Sequence, residues 1–494
     1  MISAYGFKKL KKVLLSSFVS IMVIAGMATP LTVKAEPQKK DYSKKYKMIS
    51  LDAGRKYFSA NQINRIIDHA SSKGFTHFHL LLGNDAFRFT LNDMDVHVND
   101  KVYKAADINK AITKGNFEYM TRQKAQNIQD AAKTLSESDM NKILAHAKAK
   151  NMKIIPGINM PGHMDSIVTV MEEMKDLGNV RFTGDKGTSL TTMNYDNEKA
   201  AQFMKSFLQK YLDYFKSKGI KEFNFGADEI GNDAVSGYKG GYDYLSKRPA
   251  QYATLVKFIN KLADQVDAAG MTPYCFNDGL YYNDNTAHKF SSKIRVFYWS
   301  CGHTWWGAPD SGSAKTIIKQ GHKIVNVNEK WYYVLGRERA DCPSRGGAYT
   351  AFPYEGMDPS KASTVKMKDV TFDYVREHPN DNKNLETLGS MIALWCDIPS
   401  MPYEEDKFFK YMDIFADSNP DVFKKENPVA PEMKRTMSVK GTMKVASIDA
   451  GRKFFSAQDI KNAIARLKEK DYTHLQLILG NNGLRFALDN MDIK

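Results

Sequence analysis

The residues best placed to do chemistry stand in the run Phe223-Asn224-Phe225-Gly226-Ala227-Asp228-Glu229, where two adjacent carboxylates follow an apolar stretch that reads as the end of a strand. Like charges at such close range raise the pKa of at least one partner, which suits it to donate a proton near neutral pH. Glycosidic cleavage needs such an acid to protonate the leaving oxygen. An isolated Asp-Glu pair is usually solvated surface, and here it is the strand before it that makes the pair a candidate. A second set is aromatic: Trp299, Trp305, Trp306, Tyr332 and Trp395. Such residues at strand ends are often core, yet sugar rings offer apolar C–H faces that stack on indole, and the fifth tryptophan, Trp331, adjoins Tyr332. Arg55 has two readings, an ion-pair partner of Asp52 or a rigid fork gripping two neighbouring hydroxyls. His163, in Met160-Pro161-Gly162-His163, reads as a histidine that orients its neighbours, the acid included. No second histidine stands at ligand spacing, so neither a metal nor a cofactor is expected.

These residues need a scaffold that gathers them. Apolar runs at 48–51, 75–82, 152–158, 222–225, 272–276, 294–299, 324–327 and 391–395 make eight candidate strands. Amphipathic stretches lie between most of them, at 60–73, 137–150, 199–218 and 251–269, the first with Ser59 as N-cap and Gln62 three residues on. Eight strands alternating with helices predict an α/β (β/α)8 TIM barrel, with a doubly wound open sheet as the alternative. A barrel would bring the strand ends to one mouth: Asp52 and Arg55, Asn84 and Asp85, His163 and Asp165, Asp228 and Glu229, Asn277 and Asp278, Trp299 with Trp305 and Trp306, Tyr332, and Trp395 with Asp397.

The chain of 494 residues is long enough for such a domain with material to spare. Residues 1–35 read as a signal peptide, with Lys8, Lys9, Lys11 and Lys12 ahead of an apolar stretch and Val33 and Ala35 at the cleavage site; a membrane anchor is the alternative. Cleavage there removes five lysines and takes the formal charge from +15 to +10, a scattered excess suited to a cell-wall or acidic glycan surface. A secreted or cell-surface protein is expected, with no membrane span after cleavage. Zinc-finger spacing and RNP-like segments are lacking, so nucleic acid is not an expected partner. The four cysteines, Cys275, Cys301, Cys342 and Cys396, read as buried thiols or as one or two disulfides.

The sequence also repeats itself. Residues 48–97 align without gaps on 445–494, at an offset of 397, and DAGRKYFSA from Asp52 recurs as DAGRKFFSA from Asp449. The expected organisation is a signal at 1–35, a catalytic domain at 36–426, a proline-containing linker at 427–444 and, at 445–494, a partial second copy of the catalytic domain's start.

Taken as an ordered set, DAGRKYF at strand one, MPGH after strand three, NFGADE at strand four, WYY after strand seven and Trp395-Cys396-Asp397 at strand eight resemble the β-N-acetylhexosaminidases of glycoside hydrolase family 20, particularly the streptococcal surface type. The resemblance covers about residues 46–425. It implies an exo-acting, retaining enzyme that releases terminal β-linked N-acetylhexosamine by substrate assistance, the sugar's own acetamido oxygen attacking the anomeric carbon. Asp228 would then orient the acetamido N–H, Glu229 would protonate the leaving group, and Tyr332 would donate to the acetamido oxygen. Trp299 and Trp395 would wall the pocket, while Arg55 and Asp397 would bind the far hydroxyls, with His163 and Trp306 also in the site. Two departures bear on selectivity: Tyr332-Tyr333-Val334 stands where many members have Tyr-Leu-Asp, and Phe276 where a tryptophan is common. Two other readings remain, a glycan-binding adhesin domain without catalysis, and a barrel glycosidase whose nucleophile is Asp278 or Asp397.

Overall fold

The computed structural model describes residues 45–123, 128–238, 240–299, 311–327, 332–335, 352–353, 386–417 and 444–480. Each of the eight apolar runs is a strand: β1 (Tyr46–Asp52), β2 (His77–Asn84), β3 (Lys153–Met160), β4 (Glu222–Gly226), β5 (Thr272–Phe276), β6 (Arg295–Tyr298), β7 (Lys323–Asn326) and β8 (Gly389–Trp395). Neighbours pair in parallel in chain order, and β8 pairs with β1, Met391 opposite Met48, so the sheet closes on itself. This is the (β/α)8 barrel expected from sequence. The runs are continuous because both faces of each strand are buried. One face, with Met48, Ile155, Tyr274, Phe297, Val325 and Met391, fills the interior; the other, with Ile49, Phe78, Phe223 and Ile392, packs against helices.

Before residue 425 the described helices are α1 (Ala60–Ser72), α2 (Ala105–Arg122), α3 (Glu137–Ala149), α4 (Asp165–Glu173), α5 (Glu198–Ser217), α6 (Gly241–Ser246), α7 (Pro249–Ala268), α8 (Ala314–Lys319) and α9 (Glu405–Asp417). Helix α1 starts where a capping box forms, the Gln62 N–H donating to Ser59 Oγ and the Ser59 N–H to Gln62 Oε1, and it buries Ile63, Ile66, Ile67 and Ala70 on one face. Two connections depart from simple alternation. Between β5 and β6 there is only a short 3₁₀ turn, Tyr282–Asp284, and beyond β7 a three-residue strand, Tyr332–Val334, pairs with the upper half of β8.

Polar side chains also cross the barrel interior and tie strands to the site. The Asn224 amide donates to His79 Nε2 at 2.9 Å, and His79 Nδ1 meets Ser50 Oγ at 2.8 Å. Burial pushes the His79 pKa down to about 3, so the ring is neutral and presents a lone pair to Asn224. Asn224 Oδ1 in turn accepts the Gly226 N–H at 2.9 Å, fixing the last residue of β4.

The chain divides into two units, residues 1–424 and 425–494. In the second, strands Val445–Asp449 and His474–Ile478 pair in parallel around the helix Ala457–Lys468, with Val445 opposite His474 as Met48 is opposite His77. Ile464 is 49% exposed there, whereas Ile67, its counterpart at the offset of 397, is fully buried. Among the described residues no helix is long and apolar enough to cross a membrane, and Cys275 and Cys396 are buried free thiols. The expected signal peptide, Cys301, Cys342 and nearly all of the linker lie outside the described residues.

Candidate active site

The strand ends converge as a barrel requires, and the catalytic candidates sit on sharply turned backbone. Gly226, Ala227 and Glu229 have φ of 87°, 62° and 42°, so that three of four consecutive residues are at positive φ where the chain turns off β4 and presents both carboxylates to the mouth. Gly226 has no substitute: a Cβ there would lie 2.2 Å from Asn159 Oδ1. The turn is held from three sides, by the Ala227 N–H to Met160 O at 3.1 Å, by the Tyr242 hydroxyl to Ala227 O at 2.6 Å, and by the Glu229 N–H to Asp278 Oδ2 at 3.1 Å.

Behind Glu229 runs a charge-assisted chain. His163 Nε2 lies 3.1 Å from Glu229 Oε2, and His163 Nδ1 lies 3.0 Å from Asp85 Oδ1. Arg55 Nε donates to Asp85 Oδ2 at 2.9 Å. Burial disfavours charge on His163, but Asp85, Asp228 and the two hydrogen bonds outweigh it and hold the ring's pKa well above its usual value. A protonated His163 donates on both sides. Asp85 is likewise buried, yet the charges of His163 and Arg55 keep it well below the usual carboxylate range.

The two adjacent carboxylates are pushed apart. Burial, reinforced by Glu229, raises Asp228 to about 6 against the pull of His163. Glu229 goes the other way: burial opposes its charge, but the hydrogen bond and charge of His163 hold its pKa below the ordinary value. The sequence leads one to expect a raised member of the pair. That member is Asp228, and the reason is that the His163 proton points at Glu229. Asp228 Oδ1 is buried without a hydrogen-bond partner among the described residues, and an unmatched buried acceptor calls for an explanation.

Arg55 realises the ion-pair reading, with its NH1 3.3 Å from Asp52 Oδ2, and it also sits 3.6 Å from Asp397 Oδ1, which keeps 24% of its side chain exposed at the mouth. Trp299 follows β6 and is half-buried, its indole N–H donating to Asp278 Oδ1 at 2.5 Å and its backbone N–H to Asn277 Oδ1 at 2.8 Å. Trp395 ends β8, its ring edge-on to Tyr332 at 5.7 Å and tilted against Phe276 at 6.1 Å. The Tyr332 hydroxyl donates to Val327 O at 3.1 Å. Asp165 does not join the carboxylate group; it opens α4 and pairs with Arg122. Trp305, Trp306 and Trp331 lie outside the described residues. Asp85 is placed at the mouth by the strand pattern but receives no role from it. Asn84 and Asn159 are joined side chain to side chain at 2.9 Å behind the mouth, and no spacing in the sequence signals that contact. No group of side chains suited to a metal ion occurs among the described residues.

Residues 45–409 match the family model for the glycosyl hydrolase family 20 catalytic domain. The structure is similar to that of the tandem GH20 catalytic modules in the pneumococcal exo-β-D-N-acetylglucosaminidase StrH, at 36% identity and a TM-score of 0.66, covering 77% of this chain and 85% of that one. Dispersin B shares the fold at 18% identity and a TM-score of 0.52, covering 77% of this chain and 99% of that one. Among curated proteins, a β-hexosaminidase of Vibrio vulnificus is 22% identical over 356 residues, 64% of this chain and 40% of its own length. The chain thus spans less than half of that relative. With the family model matched across the whole barrel, the chain belongs to glycosyl hydrolase family 20 and is, by that membership, a glycoside hydrolase.

Proposed function

We propose that the site is that of an exo-acting, retaining β-N-acetylhexosaminidase working by substrate assistance on glycans ending in β-linked N-acetylglucosamine or N-acetylgalactosamine. The observation that carries this reading is the buried Oδ1 of Asp228, unpartnered among the described residues, next to Glu229, whose own Oε2 is engaged by His163. An acetamido N–H directed at Oδ1 would satisfy the orphaned acceptor, and the carboxylate would offset the positive charge that grows as the acetamido oxygen bonds to the anomeric carbon. In that step the bond to the leaving oxygen breaks and a proton passes to that oxygen from Glu229. Glu229 keeps 27% of its side chain exposed against 10% for Asp228, as a group serving the departing sugar should. At rest the shared proton stays on His163, which Asp85 keeps charged, and it would cross the 3.1 Å contact to Glu229 only as the leaving oxygen takes up a proton. In the second step Glu229 takes a proton from water as the water oxygen opens the oxazolinium ring. Arg55 with Asp397 would hold the far hydroxyls, Trp299, Trp395 and Trp306 would line the pocket, and Tyr332 would turn its hydroxyl from Val327 to the acetamido oxygen.

The pneumococcal and Vibrio relatives, named for N-acetylglucosamine and hexosamine release, support this substrate class. The resemblance to the streptococcal surface type and the residues at 1–35 support secretion to the cell surface. The test separates the two carboxylates by role. Glu229→Gln should cripple hydrolysis of natural glycans far more than of an activated aryl glycoside, whose phenolate leaves with little protonation. Asp228→Asn should slow both to a similar degree, by about 100-fold or more, and should weaken inhibition by a thiazoline mimic of the cyclised sugar. Equal leaving-group dependence in both variants, or a thiazoline that binds the wild type no better than free sugar, would end the substrate-assisted reading.

A further inference from the structure

Asp278 is the third carboxyl of the site, and both of its oxygens are committed. Oδ2 accepts the backbone N–H of Glu229 at 3.1 Å and Oδ1 accepts the indole N–H of Trp299 at 2.5 Å. The side chain is buried, so each contact is made away from solvent, and the backbone it holds at Glu229 is in the left-handed region with φ of 42°. One further hydrogen bond and one packing contact lock the turn that carries Asp278 to its surroundings. The Tyr252 hydroxyl donates to Gly279 O at 2.7 Å, and the Tyr242 ring fills the space a Gly279 Cβ would need, at 2.0 Å, while its hydroxyl reaches Ala227 O. Turns after β4 and β5 are therefore bolted into one piece, with the Trp299 indole attached to it.

We propose that Asp278 is a positioning residue that fixes the acid Glu229 and the Trp299 indole in one frame, so that the wall of the acetamido pocket and the proton donor keep a set separation. A nucleophile's role fits it poorly, because an attacking oxygen would have to leave a donor that has no other partner among the described residues. Its charge is also disfavoured: burial first, then the neighbouring carboxylates Asp228 and Glu229, raise its pKa well above the ordinary value, whereas the two donated hydrogen bonds favour the ion. The assignment rests on the geometry of those two bonds and on the catalytic reading given above.

The test uses the whole chain and three variants, Asp278→Asn, Trp299→Phe and the double variant, each checked for folding by thermal melting. Asparagine keeps the volume but must set an N–H₂ against one of the two donors. A small misplacement of catalytic groups costs up to about 100-fold, and an unmatched buried donor has a cost of similar order. Asp278→Asn should therefore lower kcat by about 10- to 100-fold with KM little changed, and weaken thiazoline inhibition by a comparable factor. Trp299→Phe removes the indole donor and leaves Asp278 intact. If the two act as one frame, the double variant should be no worse than the poorer single one. Multiplying losses in the double variant, or an Asp278→Asn enzyme with wild-type kcat and thiazoline affinity, would overturn the proposal. So would azide rescue of Asp278→Ala with a glycosyl azide product of inverted configuration, which would make Asp278 the nucleophile. A wild type that ignores thiazoline would instead refute the substrate-assisted reading and be recognised as that.

Discussion

At the residue scale, the site is defined by how it distributes protons among Asp85, His163, Asp228 and Glu229. Asp228 must be ionised to face a developing positive charge, yet burial raises it to about 6. The logarithm of kcat/KM should accordingly fall with unit slope as pH drops below about 6, and this limb should vanish in Asp228→Asn. Stability should show the opposite preference. A carboxyl whose folded pKa is raised above its unfolded value binds a proton more tightly when folded, so the native state loses stability as pH rises from about 4 through about 6. Asp228→Asn should therefore melt a few degrees higher than wild type at pH 7.5 and at about the same temperature at pH 4. Thermal melts at the two pH values check this, and an Asn variant that is less stable at pH 7.5 would refute it. The residue types were legible from sequence, since a doubled carboxylate at a strand end, an arginine and a histidine at other strand ends already suggest this chemistry. The proton distribution was not. It depends on His163 reaching Glu229 while Asp85 backs it, and those contacts span three strands whose relative heights no spacing reveals.

At the element scale, the turn off β4 is the critical piece. Asp85, His163, Ala227 and Glu229 are all non-glycine residues at positive φ, each costing about 1 kcal/mol that surrounding hydrogen bonds must offset. Gly226, with φ of 87° and Asn159 against it, admits no side chain. Gly226→Ala should lose on the order of 2 kcal/mol or more, and its residual activity should drop by at least about 10-fold at a temperature where it is still folded. Denaturant titration with kinetics on the same sample measures both, and a fully active, stable variant would show that the turn relaxes freely. Strands and principal helices were readable because a twice-buried strand is a continuous apolar run and a barrel helix a one-sided stripe; the expected helix ends fall within two residues of those observed. What escaped the pattern were pieces too short to show a period: the 3₁₀ link between β5 and β6, and the strand Tyr332–Val334 that continues the wall above β7.

At the scale of the whole molecule, the barrel closes only when β1 meets β8, and the bond from the Cys396 N–H to Asp52 Oδ2 joins residues 344 apart. During folding β1 must wait for a partner made much later, with an open edge in the meantime. The chain also holds a near duplicate of that strand and its following loop, from Val445 onward, pairing in the same register with its own neighbour. The duplicate thus offers the same chain a second sequence suited to the berth beside β8, and any contest for it would be unimolecular. Dilution cannot resolve it. After unfolding in guanidinium and rapid dilution, the full chain should regain activity in a partitioned yield, lower than that of residues 36–426 by about a factor of two and independent of protein concentration, a misassembly typical of chains with repeated domains. Equal yields from both chains would mean that β1 claims its place before its rival can form. A deficit in the longer chain would mark the duplicated strand as a kinetic decoy, tolerable in vivo only if β1 is seated before residue 445 is available.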